Sequence, residues 1–181
     1  MYKLFFLLVL SNFSLFSLNE WYGYTDEVMG GESTIKWYSY TDQVMGGDSS
    51  IETIKDGETF HILGNVSTRN NGGFIRFATN AESISAKAEG IKFLAKANNQ
   101  TYDIHISLSG MKMPPWSFFF TKFYISEEWQ EYKIFFSDFE TYGFSMKKFS
   151  PENFRELSFA GYGRDFEVDL LIKNIAVSYT H

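Results

Sequence analysis

"TFHILGNVSTRNNGGFIRFA", Thr59 to Ala78, is the stretch whose reading decides the fold. Thr59 to Ser67 reads as a strand, and a second apolar run begins at Phe74. Between them Asn71, Gly72 and Gly73 tolerate positive φ, so the chain turns there. The same grammar continues outward. "GIKFLAKA" and "TYDIHISLS" are two strands joined by Asn98, Asn99 and Gln100. "WSFFFTKFYI" and "EYKIFF" come next, split by the polar "SEEWQ". In "EYKIFF" the period of two puts Tyr132, Ile134 and Phe136 on one face. "DFEVDLLIKNIAVSY" reads as one long strand or a bent pair. Helix signals are few. "SPENF", Ser150 to Phe154, has a capping Ser and a Pro at the first helical position, enough for a single turn. No stretch holds an apolar period of 3.6 for three turns. Many short strands spaced by about ten residues predict an all-β fold, an antiparallel sandwich or barrel, in one domain.

Composition agrees. Aromatic residues make up 19% of the 181-residue chain, mostly Phe and Tyr, and Pro is scarce, which favours sheet. The net charge of −6, with no Lys/Arg cluster, excludes a nucleic-acid partner of the phosphate-binding kind. There is no cysteine, which removes disulfides, thiolate nucleophiles and Cys-ligated metals together.

The first residues read as a targeting segment. Lys3 is the positive start, Leu4 to Leu10 the apolar centre, and Ser11 to Ser17 a mixed region. Residues 1–17 are expected to be a signal peptide, too short to span a membrane comfortably. Export to the periplasm or medium is expected, with no transmembrane helix remaining after cleavage. An uncleaved N-terminal anchor is the alternative.

Next comes a repeat. Trp21 to Lys36 and Trp37 to Glu52 align without a gap. They differ only at Gly23/Ser39, Glu27/Gln43, Glu32/Asp48, Thr34/Ser50 and Lys36/Glu52. A fold that admits one such strand has no obvious slot for two. Residues 37–181 are therefore expected to be the domain. Residues 18–36 are expected to be a redundant copy, loosely attached or competing for the same edge. The functional alternative is that the first copy pairs with another chain by strand addition.

Three words in these strands resemble a known family, the complex I intermediate-associated protein 30 family. The first is Asp-x-Val-Met-Gly-Gly-x-Ser, here Asp42, Val44, Met45, Gly46, Gly47 and Ser49. The second falls on Gly64, Val66 and Ser67. The third is Asn-Gly-Gly-Phe, here Asn71, Gly72, Gly73 and Phe74. The chain differs at Gln43, where the family often has a basic residue, and at "ANNQT", where a glycine-rich turn is expected. The resemblance implies a jelly-roll β-sandwich of the galactose-binding-domain type. It also implies a non-enzymatic role, since the family's best-known members assist assembly of respiratory complex I and no family catalytic site carries over.

The chemistry of individual residues adds little to that. Val-Met-Gly-Gly could cradle an anion, but without the Lys-Ser/Thr and helix of a phosphate loop a tight turn is the better reading. His61, His105 and His181 lack metal-ligand spacing, so no metal or other cofactor is expected. His61 and His105 are read as half-exposed sheet surface. The carboxylates Asp42, Asp48, Asp138, Glu140, Asp165, Glu167 and Asp169 could include a hydrolytic pair, but they read better as solvated strand faces. A structural calcium ion is conceivable at the sandwich edge, without loop-type spacing. The richest resource is "PPWSFFFTKFY". Outward aromatics there, with Trp116, Phe119 and Tyr124 as candidates, could seat a partner protein or stack on sugar rings. The leading expectation is a protein-binding module of the assembly-factor or chaperone type. An exported carbohydrate-binding module comes second and a glycosidase third. A cleft with exposed aromatics at one rim would favour sugar, and a flat apolar patch would favour protein.

Overall fold

A computed structural model describes residues 37–80, 84–111, 116–144 and 147–179. They form eleven strands: β1 (Trp37–Thr41), β2 (Ser50–Asp56), β3 (Thr59–Val66), β4 (Phe74–Asn80), β5 (Ala88–Ala97), β6 (Gln100–Leu108), β7 (Ser117–Ile125), β8 (Gln130–Phe135), β9 (Glu140–Gly143), β10 (Phe154–Tyr162) and β11 (Phe166–Tyr179). The only helical pieces among the described residues are single 3₁₀ turns, one of them Pro151–Asn153 within "SPENF". Every strand pairing is antiparallel. A six-stranded sheet runs β1-β4-β10-β6-β7-β9, and a five-stranded sheet runs β2-β3-β11-β5-β8. Only β2–β3, β6–β7 and β9–β10 stay in one sheet; every other connection crosses over. The result is a jelly-roll β-sandwich.

Alternation builds the core. In β6, Tyr102, Ile104, Ile106 and Leu108 point between the sheets, and β11 contributes Val168, Leu170 and Ile172 from the other side. Full burial of such a side chain contributes roughly 1.5–3 kcal/mol. β11 is one strand, bent where Asn174 takes positive φ (53°) and the pairing with β5 shifts between Lys173 and Ala176. That is a bulge, and it combines both expectations for this segment. Asn99 (φ 56°) turns β5 into β6, and Asn70 and Asn71 (φ 56° and 57°) precede β4. Gly64 lies inside β3, not at its end. A Cβ there would fall 2.2 Å from the Ser50 carbonyl oxygen of β2.

The second repeat copy supplies β1, the turn after it and the start of β2. Trp37 stacks on Phe77 at 4.6 Å and tilts against Phe60 at 5.6 Å, so it closes this end of the core. The first copy and the expected signal peptide fall within residues 1–36, which lie outside the described residues. Simple alternation fails in one place. β4 and most of β10 are buried on both faces, so the outer side of the six-stranded sheet carries a second packed layer.

Candidate functional site

The three family words converge on one carboxylate. Asp42 is fully buried. Its Oδ1 accepts the Ser49 N–H (2.9 Å). Its Oδ2 accepts the Ser49 hydroxyl (2.6 Å) and the N–H groups of Gly73 (2.5 Å) and Phe74 (3.1 Å). Ser67 N–H donates to Ser49 Oγ (3.0 Å), tying in the β3 word. Thr41 caps the turn by accepting from Gln43 N–H at 3.2 Å. The turn closes at Gly46 in the left-handed region (φ 87°, ψ 13°). The N–H groups of Gly46 and Gly47 donate to Gln43 O (3.1 Å) and Asp42 O (2.9 Å). They are spent on the turn, so the anion-cradle alternative loses its donors. Gly47 and Gly72 are glycines for want of space, since a Cβ would lie 2.3 Å and 2.4 Å from the Asp42 carboxylate. Burial opposes ionisation of Asp42, but the four donors outweigh it and hold its pKa below the ordinary carboxylate value. Val44 and Met45, grouped with the framework residues by sequence, are surface residues instead, Val44 at 72% exposure.

Beside this knot lies a depression of about 660 Å³. Met45, Asn71, Gly72, Gly73 and Phe74 form one wall; Trp116, Tyr142, Gly143, Tyr162 and Gly163 form the other. The Gly163 N–H donates to the Gly73 carbonyl at 2.8 Å and links the walls. Trp116 is 63% exposed. Tyr142 stacks on Phe118 at 4.6 Å, and Tyr162 meets Phe118 edge-on at 5.8 Å.

Behind these rings sits a buried polar floor. The Arg76 guanidinium has 0% exposure and lies 4.8 Å from the Phe118 ring centre, 5.4 Å from Phe74 and 5.9 Å from Tyr40. Its Nη1 is 4.0 Å from Glu156 Oε1. Glu156 accepts the hydroxyls of Tyr38 (2.8 Å) and Tyr40 (3.0 Å). Burial raises the Tyr40 phenol to about 12, against the pull of Arg76. His105 stacks on Phe118 at 4.2 Å and lies 3.5 Å from Asp103. Burial, reinforced by Arg76 and Lys122, keeps His105 neutral, far below its ordinary pKa. Burial also raises Asp103 to about 6, against Lys122, Arg164 and Arg76. Among the described residues no hydrogen-bond partner meets Arg76 Nε and Nη2, His105 Nδ1 or Ser158 Oγ. Buried polar groups are ordinarily satisfied by protein partners or by ordered water, and burying them without either is costly.

The three aromatic candidates part company. Trp116 lines the depression. Tyr124 is exposed, but it stands at the other end of β7, roughly 26 Å away at strand rise, with its hydroxyl on Asn99 (3.0 Å). Phe119 is a correction: it is 4% exposed and packs in the core against Phe149, because alternation turns it inward. His105 is also a correction, buried and not half-exposed. His61 does sit half-exposed, 2.7 Å from Asp169. The carboxylates named from sequence do not converge. Asp48 pairs with Arg69 (3.2 Å) and Asp165 accepts from Thr68 N–H (2.6 Å). Among the described residues no group of three His, Cys, Asp or Glu could hold a metal ion, and no helix is long and apolar enough to cross a membrane. Sequence reasoning missed Arg76, Asp103, Glu156, Tyr142 and Tyr162.

The architecture is that of carbohydrate-binding-module sandwiches. The family 11 carbohydrate-binding module of a cellulosomal cellulase from Clostridium thermocellum superposes with a TM-score of 0.67 at 17% identity, over 82% of this chain and 91% of that one. The same type of module in complex with a β-1,3-1,4-mixed-linked tetrasaccharide gives 0.65 at 17%, over 83% and 94%. A CBM4 structure gives 0.54 at 18%, over 80% and 86%. These likenesses show the fold. No curated protein sequence matches the chain. Family membership comes from sequence: the model of the complex I intermediate-associated protein 30 family matches residues 32–162, and the chain belongs to that family.

Proposed function

We propose that this domain is an exported, non-catalytic binding module that takes a carbohydrate chain in the depression between Met45 and Trp116. The observation that carries this is a cleft with an exposed Trp and two Tyr rings along one wall and the polar Asn71–Gly73 turn along the other. Aromatic faces stack on the apolar C–H faces of sugar rings, and oriented donors and acceptors select among hydroxyls. The sandwiches of the same fold support the reading, one of them being a tetrasaccharide complex. Glycan-array screening followed by calorimetry with a mixed-linked gluco-oligosaccharide tests it. Trp116→Ala is expected to weaken binding by about 2 kcal/mol and leave the melting temperature unchanged. A wild-type protein that binds no glycan overturns the proposal.

A protein partner, as in complex I assembly, is the second reading. Phe144 (84% exposed) comes directly after Gly143 at the same rim, and Val44 precedes Met45. Co-purification of one stoichiometric protein, lost on Phe144→Ser, would favour it. Export is tested by mass spectrometry of the native protein. A mature chain starting near Leu18 is expected, and a full-length cytoplasmic product would refute it.

A further inference from the structure

We propose that residues 21–36 are a second, interchangeable occupant of the slot that residues 37–52 fill, so that the domain holds a spare for its own edge strand and Asp42 knot. The inference rests on the fold and is independent of the ligand. Every position withdrawn from solvent in the placed copy carries the same residue in the first copy. Trp21 stands for Trp37, Tyr24 for Tyr40, Thr25 for Thr41, Asp26 for Asp42, Gly31 for Gly47, Ser33 for Ser49 and Ile35 for Ile51. Ser39, Gln43, Asp48, Ser50 and Glu52, where the copies differ, are all exposed. The knot needs a carboxylate, a hydroxyl seven residues on and a glycine between them with no room for a side chain. Asp26, Ser33 and Gly31 provide all three at the same spacing. Even the surface pair is kept in kind, since Glu32 brings a carboxylate to where Asp48 meets Arg69.

The slot is also accessible to exchange. β1 lies at the edge of its sheet and pairs only with β4, and β2 lies at the edge of the other and pairs only with β3. Replacing the copy breaks two edge ladders and leaves the central strands in place. The exchange carries a bias. With the first copy seated, residues 34–40 become β2, and the chain from 41 to 58 must form the loop now made by a tight turn at Gly57 and Glu58. Trp37 would also fall where Thr53 now sits. Loop-closure entropy grows only with the logarithm of length, so the placed register is preferred while the other stays within reach. Damage to the second copy should tip the balance.

The experiment uses the full chain with Asp26→Ala, Asp42→Ala and the double variant. Asp26→Ala is expected to melt like wild type. Asp42→Ala should fold and lose a few degrees, and the double variant should melt about 10 °C or more below it. Hydrogen exchange with mass spectrometry should show protection passing from residues 37–52 to residues 21–36 in Asp42→Ala alone. Equal melts for Asp42→Ala and the double variant overturn the proposal. So does an Asp42→Ala chain that fails to fold, or one whose residues 21–36 stay unprotected. A rescue that appears only as a concentration-dependent dimer would move the donor to a second molecule and overturn the exchange within one chain.

Discussion

Asp42 and Asp103 are both buried carboxylates, and they are treated in opposite ways. Asp42 collects four donors from two loops, and its pKa is held down. Asp103 has a neutral histidine at 3.5 Å and cations at longer range, and burial pushes it up to about 6. The number and direction of hydrogen-bond donors, not depth, decide whether a buried acid holds a fold together or strains it. Asp42 belongs to the framework. Asp103 belongs with Arg76, His105 and Ser158 to a floor whose polar atoms are incompletely used.

The contrast can be broken from the Asp42 side first. In Gly72→Val a side chain would enter where a Cβ already meets the carboxylate at 2.4 Å, displacing it from its donors. A loss of roughly 3–5 kcal/mol is expected in urea unfolding, as for breaking a buried charged pair. A loss below about 1 kcal/mol would show that the knot is dispensable. A smaller effect is expected at the turn. Gly46→Val forces positive φ on a branched residue and should cost on the order of 1–2 kcal/mol, whereas Gly30→Val should leave the melt unchanged. Equal losses from the two would contradict the placement of the second copy.

On the other side, Asp103→Asn should stabilise the protein at pH 7 by on the order of 1 kcal/mol, because a raised carboxylate pKa is a penalty on the charged form. A loss of similar size would make Asp103 a framework residue like Asp42. The smallest effect is the pH profile. Asp103 binds its proton more tightly in the fold, so its contribution falls as pH rises from about 4 to 6. His105 is depressed, so its contribution is present above about 6.5 and falls as pH drops below that value. The two slopes oppose each other between about pH 4 and 6. Asp42, also depressed, keeps its contribution above the ordinary carboxylate value and loses it as pH falls further. Asp103→Asn should therefore steepen the loss on acidification, read as urea midpoints across pH. An unchanged slope would mean that His105 and Asp103 are not both buried as described.

The sandwich was legible because strand alternation and turn chemistry are local. The runs around Phe60, Tyr102 and Tyr132 and the asparagines at 71 and 99 needed no distant information. The three family words were visible, but not that a single carboxylate joins them, since that contact spans residues 42 to 74. Trp116 was legible as a candidate outward aromatic. Phe119 was not legible as core, because a run of three Phe gives no local sign of which alternate residue faces inward. The polar floor was harder. "TYDIHIS" does put Asp103 and His105 on one face, and "FIRFA" sets Arg76 opposite its apolar neighbours. Alternation alone sends that face to water. The layer that covers it comes from Phe118, Tyr142 and Tyr162, whose proximity only the folded topology supplies.

The link between Gly73 and Gly163 joins two walls of different origin. The Asp42 wall is written in the three words of the family resemblance, and it is held by backbone donors around a carboxylate with no room for larger neighbours. The Trp116–Tyr142–Tyr162 wall is written outside those words, on β9, the end of β10 and the start of β7. One side of the cleft is therefore mainly backbone, set by the fold, and the other is mainly side chains, replaceable without disturbing the Asp42 knot.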